Sequence, residues 1–296
     1  AHHASTSLHS TRDTLVVSIG PAHGDVCVHS LSAIPATEID STSRMPFTLE
    51  LCKSRLATVG ADAQLSCVLN NKLLVTVDNA SHAIRLISLD SGKTEQLLPY
   101  HTAPVTTLAR TRDGSILITG SRDCTACVWP LYSTAPKRSR LAAILQRSQI
   151  SRLATIPHAT LTGHDAPLSA AAIDNDVDLA VTCAYDATVN IYSLSLGMFV
   201  RSFETPNRVV FDHAAITQRW SDLVFLASRS STLCSYTVNA HLLASVHCDE
   251  QPRAMVVDEW GERVITAGVG GVVVRRVASL EQLYKLHAPR PVTSLL

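Results

Sequence analysis

Short apolar runs rich in Val, Ile, Leu and Thr alternate with clusters of turn residues along nearly the whole chain, and within the runs the period is two. That periodicity predicts strands. Candidate inner strands are Leu65–Leu69, Val105–Leu108, Leu168–Ile173, Val209–His213 and Ala254–Val257. Candidate second strands are Leu15–Ile19, Leu73–Val77, Ile116–Gly120, Leu179–Cys183, Leu223–Ser228 and Arg263–Ala267. Third strands are expected at Val26–Leu31, Ala83–Leu89, Ala126–Leu131, Thr188–Leu194, Thr232–Val238 and Val272–Val277. Fourth strands include Glu95–Pro99, Phe199–Phe203, Leu242–His247 and Gln282–Leu286.

The strands fall into repeats. Residues 100–129 (YHTAPVTTLARTRDGSILITGSRDCTACVW) and 163–192 (GHDAPLSAAAIDNDVDLAVTCAYDATVNIY) share one register, His-x17-Thr-x3-Asp-x5-aromatic. The first unit supplies His101, Thr119, Asp123 and Trp129; the second supplies His164, Thr182, Asp186 and Tyr192. Second-strand markers at Thr76, Thr119, Thr182, Leu226 and Thr266 are separated by 43, 63, 44 and 40 residues. Three of these gaps match a blade period of roughly 40–45 residues. The longer one is a blade plus an insertion, placed at 133–157.

The predicted fold is therefore all-β, a WD40-type β-propeller forming a single domain over residues 1–296. The chain enters at a second strand and ends on PVTSLL, which reads as an inner strand. Two arrangements fit: seven blades with incomplete terminal blades, the favoured reading, or a closed six-bladed ring in which Val292–Leu295 completes the first blade. Closure removes exposed sheet edges.

In the two well-marked blades, a buried hydrogen-bond relay is expected to run through His, Thr, Asp and the aromatic residue, because buried polar groups need partners. Tyr192 replaces Trp in blade four, and a phenol can also donate. Recurrence at blade spacing makes these residues structural, not a catalytic His/Asp/Thr set. The other blades are degenerate. Blade two has Ser81 and Ile87 at the Asp and Trp places, blade five Ser230 and Tyr236, and blade six Gly270 and Arg276. These blades are expected to depend more on apolar packing.

Composition narrows the function classes. Hydrophobic residues make up 46% of the chain and charged residues 17%, which excludes a disordered tail. Lys+Arg and Asp+Glu are equal at 25 each, so no global charge favours nucleic acid. The eight Cys form no dense framework, which fits a reducing compartment. Cys124-Thr-Ala-Cys127 has no second CxxC to complete a zinc site, so neither metal nor cofactor is expected. The start, AHHASTSLHS, lacks the apolar segment of a signal peptide, and no uncharged apolar run reaches the roughly 18 residues of a membrane span. No nucleophile elbow, acid pair or small-molecule site is evident, which argues against an enzyme.

Two surfaces remain as candidate interaction sites. Loops before inner strands and between second and third strands share one face, which carries Tyr100, Arg122, Asp165, Tyr185, Arg229 and Arg253. Arg and Tyr are favoured binding anchors. The second is the insertion, where PKRSRLAAILQRSQISR carries Lys137, Arg138, Arg140, Arg147 and Arg152 with no acidic residue. Leu141, Ile144 and Leu145 would share one face of a short basic helix, suited to an acidic partner or to anionic lipid head groups.

The order of elements is more specific than the repeat. AIRLISLDSGKTEQLLPYHTAPVTTLAR, ILITGSRDCTACVW, a long loop, LTGHDAPLSAAAIDNDVDLAVTCAYDATVNIYSLSLGMFVRSFE and QPRAMVVDEWGERVITAGVGGVVVRRVASLEQLYKL follow in sequence. From His82 to His287 the chain resembles the C-terminal WD40 region of BEACH-domain proteins, the neurobeachin and beige-like group. The resemblance implies a non-catalytic scaffold in vesicle trafficking and membrane dynamics, cytoplasmic and peripheral on endomembranes, with protein partners. The alternative is a WD40 adaptor in a ubiquitin ligase or RNA-associated assembly.

Overall fold

The structure, a computed structural model, describes residues 14–19, 26–33, 47–53, 65–69, 72–78, 80–89, 91–134, 150–218, 220–258 and 260–287. Among these, 24 strands form six antiparallel sheets. The first sheet holds β1 (Thr14–Ile19), β2 (Val26–Ala33) and β3 (Phe47–Lys53). The second holds β4 (Ser66–Leu69), β5 (Leu73–Asp78), β6 (Ala83–Ser88) and β7 (Thr94–Pro99). The third is built on β8 (Val105–Arg110), β9 (Ile116–Ser121) and β10 (Ala126–Thr134).

Its outer edge is shared by β11 (Ile150–Leu153) and β12 (Ala159–Leu161). The fourth sheet is β13 (Leu168–Asp174), β14 (Leu179–Ala184), β15 (Thr188–Ser193) and β16 (Met198–Glu204). The fifth is β17 (His213–Ile216), β18 (Leu223–Ala227), β19 (Thr232–Tyr236) and β20 (Leu242–His247). The sixth is β21 (Pro252–Val257), β22 (Arg263–Gly268), β23 (Gly271–Arg276) and β24 (Gln282–Leu286).

Each sheet is a meander whose outer strand leads to the inner strand of the next. Inner strands lie side by side: β4 beside β8, β8 beside β13, β13 beside β17 and β17 beside β21. This is a propeller arrangement, in which the second to sixth sheets pack face to face in succession. The core is consequently divided into layers between blades. Leu117, Cys127 and Trp129 face Leu69, Val75 and Leu86 of blade two. Their chain neighbours Ile118, Ala126 and Val128 face Leu168, Ala171 and Ile173 of blade four. Ala170, Val181 and Ile191 pack on Phe211 and Phe225, and Val224 and Leu226 pack on Val264 and Val277. Because both faces of a blade are buried, its middle strands read as nearly unbroken apolar runs such as Ile116–Ile118 and Leu223–Ala227. Each large side chain buried this way contributes roughly 1.5–3 kcal/mol.

The inner ring is also pinned by side-chain hydrogen bonds. Bulges interrupt β8 between Val105 and Thr107, β13 between Leu168 and Ala170, and β21 between Pro252 and Ala254. The bulged residue turns sideways toward the next blade. Thr106 Oγ1 donates to the Leu168 carbonyl at 2.7 Å, and Ser169 Oγ to the Phe211 carbonyl at 2.6 Å. Gly120 is required by the same close approach: a Cβ there would meet Thr107 Cγ2 and Leu168 Cδ1 at 2.5 and 2.8 Å.

Three expectations need correction. The inner strand of blade five is His213–Ile216, not Val209–His213. A 3-10 turn at Pro206–Arg208, closed by Thr205 Oγ1 donating to the Val209 carbonyl at 2.6 Å, uses the earlier residues as a corner. The outer strand Phe47–Lys53, paired with Val26–Ala33, was not expected. The insertion leaves and returns as a ribbon, with Leu131–Thr134 paired to Ile150–Leu153, so both margins of the expected 133–157 segment contain sheet. Val292–Leu295 lies outside the described residues, as do Lys137, Arg138, Arg140, Arg147 and the anticipated helix around Leu141–Leu145.

Candidate functional site

Blade three forms the full relay geometry. His101, in the turn before β8, places Nε2 2.9 Å from Thr119 Oγ1 and Nδ1 2.9 Å from Asp123 Oδ2. The Trp129 indole N–H donates to the same Thr119 oxygen at 3.0 Å. Asp123 also accepts from the Thr102 and Thr125 amides and from Thr125 Oγ1. Burial opposes ionisation of Asp123, but the Thr125 and His101 hydrogen bonds outweigh it and hold the carboxyl below its usual range. The residues that could be mistaken for a catalytic set thus tie the loop to the sheet.

Blade four keeps part of this geometry. His164 Nε2 lies 2.7 Å from Thr182 Oγ1, and Nδ1 lies 3.0 Å from Thr188 Oγ1 and 3.4 Å from Asp186. Burial lowers the His164 pKa despite the neighbouring Asp186. The phenol departs from the expected route: Tyr192 donates its one hydrogen to the Thr162 carbonyl at 2.9 Å and accepts from Asn190 Nδ2 at 3.2 Å. It does not replace the indole N–H as a donor to Thr182.

Blade six holds a relay that spacing concealed. Thr266 occupies the second-strand position, and Arg275, not Arg276, takes the place of the Trp. Trp129 pairs with Leu117, two residues before Thr119, and Arg275 pairs with Val264, two residues before Thr266. Glu250 stands where the His would be. Its Oε1 accepts from Thr266 Oγ1 at 2.6 Å and from one Arg275 Nη at 2.6 Å, and Oε2 accepts from the other at 2.9 Å. Arg275 also donates to Thr266 Oγ1 at 2.7 Å.

All three residues are buried. Burial would raise the Glu250 pKa, but the hydrogen bonds from Arg275 and Thr266 prevail and hold it at about 2. Blade six therefore does not depend on apolar packing alone. Blade five relies more on apolar packing: Phe225 stands in the Thr position, paired with Cys234, and stacks on Phe211 at 4.9 Å with Tyr236 edge-on at 5.8 Å, while Asp212 accepts from the Ser228 amide and hydroxyl.

The anticipated loop-face residues gather at the end where inner strands begin and second strands finish. Arg122, Asp165, Tyr185, Arg229 and Arg253 are exposed. Arg122 and Tyr185 are equivalent, their amides donating to the Pro104 and Pro167 carbonyls at 2.9 and 3.0 Å. Ser228, not Arg229, has the matching register in blade five, because Phe225 is the Thr equivalent; Arg229 lies one residue further into the turn. Arg253 is the bulged residue of β21, at the position of Thr106 and Ser169. Tyr100 is partly committed to the fold: its ring meets Trp129 edge-on at 5.5 Å and its hydroxyl lies 3.3 Å from Thr160 Oγ1. Arg152, the one basic-insertion residue described, is exposed on β11 opposite Tyr132.

The opposite face carries the far ends of the inner strands. A cavity of ≈ 420 Å³ is lined there by Arg110, Asp174, Ile216 and Val257. Arg112 reaches from blade three to Gln218 Oε1 of blade five at 3.1 Å, and Gln218 Nε2 donates to Asp176 of blade four at 2.8 Å. Cys124 and Cys127 occupy a turn and a buried strand, and burial raises the Cys127 thiol to about 12, which disfavours thiolate chemistry. Among the described residues, no group of three or more His, Cys, Asp or Glu is placed to hold a metal ion.

Radially packed four-stranded blades, joined by loop-to-sheet relays, define a WD40-type β-propeller. The WD40 repeats of RRP9 have the same fold, with a TM-score of 0.59 and 16% identity over 79% of this chain and 70% of that one. A computationally designed protein, Ika8, superimposes with a TM-score of 0.58 and 16% identity over 80% of this chain and 67% of that one. The model of the neurobeachin beta propeller domain matches residues 44–296, and the chain belongs to that family.

BEACH domain-containing protein B of Arabidopsis thaliana is 28% identical over 228 residues, covering 75% of this chain and 9% of that protein. A putative neurobeachin homolog of Caenorhabditis elegans is 25% identical over 233 residues, covering 76% of this chain and 9% of that protein. The chain thus spans about a tenth of the length of these curated relatives.

Three stability outcomes are expected. Asp123→Ala strands the His101 and Thr102 donors and should cost about 1–3 kcal/mol in chemical denaturation. Arg275→Met leaves Glu250 buried and unpaired and should cost about 3–5 kcal/mol, whereas Glu250→Leu/Arg275→Met should regain most of that loss. The third outcome concerns pH. Folded Glu250 stays ionised down to about 2, against 4.5 for the free group. Its contribution is therefore complete above 4.5 and lost as the pH falls toward 2, on the order of 3 kcal/mol. The stability difference between the parent and Glu250→Gln should shrink across that window in urea titrations.

Proposed function

We propose that the chain is the non-catalytic interaction propeller of a BEACH-type protein, acting in vesicle trafficking and membrane dynamics. One domain spanning residues 1–296 would serve as a docking platform for protein partners at the cytoplasmic surface of endomembranes. The observation that carries this reading is the exposed set Arg122, Tyr185, Arg229 and Arg253 at one end of the blades, with Arg122 and Tyr185 on turns held by the His101–Asp123 and His164–Asp186 contacts. Such loops hold fixed positions while their side chains remain in water, which favours recognition. The buried His, Thr and Asp groups already have protein partners and are proposed to have structural roles. The basic segment with Lys137, Arg138, Arg140, Arg147 and Arg152 is proposed as an auxiliary contact for acidic protein or anionic lipid head groups.

Affinity capture from cell lysate with the chain as bait, beside Arg122→Ala/Arg229→Ala/Arg253→Ala, tests the face. Trafficking or membrane-coat proteins should be retained by the parent and lost by the variant, with unchanged melting temperature. Equal capture by both would move the site off the loop face, and capture of no protein by the parent would overturn the docking reading.

A further inference from the structure

The loop end of the blades carries one more arginine, which repeat spacing does not single out. Between β16 and β17 the chain crosses from the outer edge of blade four to the inner strand of blade five, over residues 205–212. Both ends of this strap are tied to turns. The Thr205 amide donates to the Ala187 carbonyl at 2.9 Å, in the turn that carries Tyr185. At the other end Asp212 accepts from the Ser228 amide at 3.0 Å and from the Ser228 hydroxyl at 3.1 Å, one residue before Arg229. Phe211, 1% exposed, seats the strap in the core between the two blades. Arg208 stands between these anchors, exposed, on a left-handed backbone at φ 55°. That conformation is uncommon for a residue with a side chain, and such strain concentrates at functional sites.

Arg208 joins Arg122, Arg229 and Arg253. All four are exposed, and none of their guanidinium groups has a hydrogen-bond or ion-pair partner among the described residues. Elsewhere Arg85, Arg201 and Arg275 each hold an acceptor of this chain. The backbone leading to Arg253 is fixed as well. The Gly270 amide donates to the Glu250 carbonyl at 3.0 Å, and a Cβ on Gly268 would strike the Glu250 and Gln251 carbonyls.

The acids at this end fall into two groups. Asp123, Asp186 and Asp212 accept from amides and hydroxyls of Thr125, Thr188 and Ser228. Asp165, Glu204 and Asp249 are exposed, so the face does not attract anions by its summed charge. Recognition must come from the individual guanidinium forks. Each fork matches the paired oxygens of a carboxylate or phosphate, and its charge-assisted bonds are stronger than neutral ones. Tyr185, 55% exposed, adds a hydroxyl and ring surface on the turn that anchors Thr205.

We infer that this end of the propeller receives an acidic segment of a partner protein. Its anionic oxygens are gripped by Arg208 on the strap and by Arg229 on the turn to which the strap is tied, with Arg122 and Arg253 on the flanking blades. Carboxylates of Asp or Glu and the phosphate of a phosphorylated Ser supply the same oxygen fork. The inference rests on the reading of the chain as a docking scaffold and names the partner chemistry of that face.

The test is fluorescence anisotropy with the 296-residue chain and three labelled peptides. One is Gly-Ser-Glu-Ser-Glu-Ser-Gly-amide; the second carries phosphoserine in place of both Glu, and the third carries Gln there. Saturable binding of the Glu peptide, the phosphoserine peptide or both is expected, with the Gln peptide at least about tenfold weaker. Which anionic peptide binds identifies the source of the oxygens, and affinity should fall as salt rises. Arg208→Ala/Arg229→Ala should weaken anionic binding about tenfold or more at an unchanged melting temperature, since both side chains are exposed. Arg208→Lys/Arg229→Lys should recover only part of that loss, because an ammonium lacks the planar fork. Equal affinity for the anionic and Gln peptides, full affinity in the Ala variant, or no saturable binding at about 100 μM chain would overturn the inference. Lysate capture by the parent beside failure of all three peptides would sink it while the docking reading stands.

Discussion

The structure depends on how each blade treats one buried position in its second strand. That residue lies at mid-sheet, where a polar atom has no water and must find a partner within the protein. Blade three uses Thr119, shared between His101 and Trp129. Blade six uses Thr266, shared between Glu250 and Arg275. Blade five removes the requirement with Phe225 in an aromatic stack. Blade two is less complete, since Thr76 Oγ1 is buried without a partner among the described residues. In blades three and six the hub residue also fastens the preceding loop to the sheet, so the geometry of the exposed face follows from the interior.

Much of this was legible in the sequence, for physical reasons. Blades three and four keep a constant turn length, so residue spacing and spatial register coincide, and His101, Thr119, Asp123 and Trp129 could be placed by counting. Blade six breaks that coincidence. Only Val269 and Gly270 lie between β22 and β23, whereas four residues, Arg122–Thr125, separate β9 from β10. The shorter turn moves the critical position from Arg276 to Arg275. An ion pair replacing a His–Trp pair is also invisible to a search for the same residue types. Glu250, two residues before the Pro252 that opens an inner strand, was the available signal.

The cross-blade chain from Arg112 through Gln218 to Asp176 illustrates a different limit, because it joins three blades with side chains far apart in sequence. Such contacts are consequences of closing blades around a common axis, and periodicity records only the blades.

The divided outer edge of blade three has an evolutionary consequence. β10 pairs with β12 along its first half and with β11 along its second, and Thr134 lies opposite Ile150, so the segment between β10 and β11 begins and ends at one point of the rim. The number of residues in that excursion does not enter the register of any inner strand. Lineages can lengthen, shorten or recharge it without renegotiating the packing of the ring, which makes this edge a natural place for new specificity to accumulate.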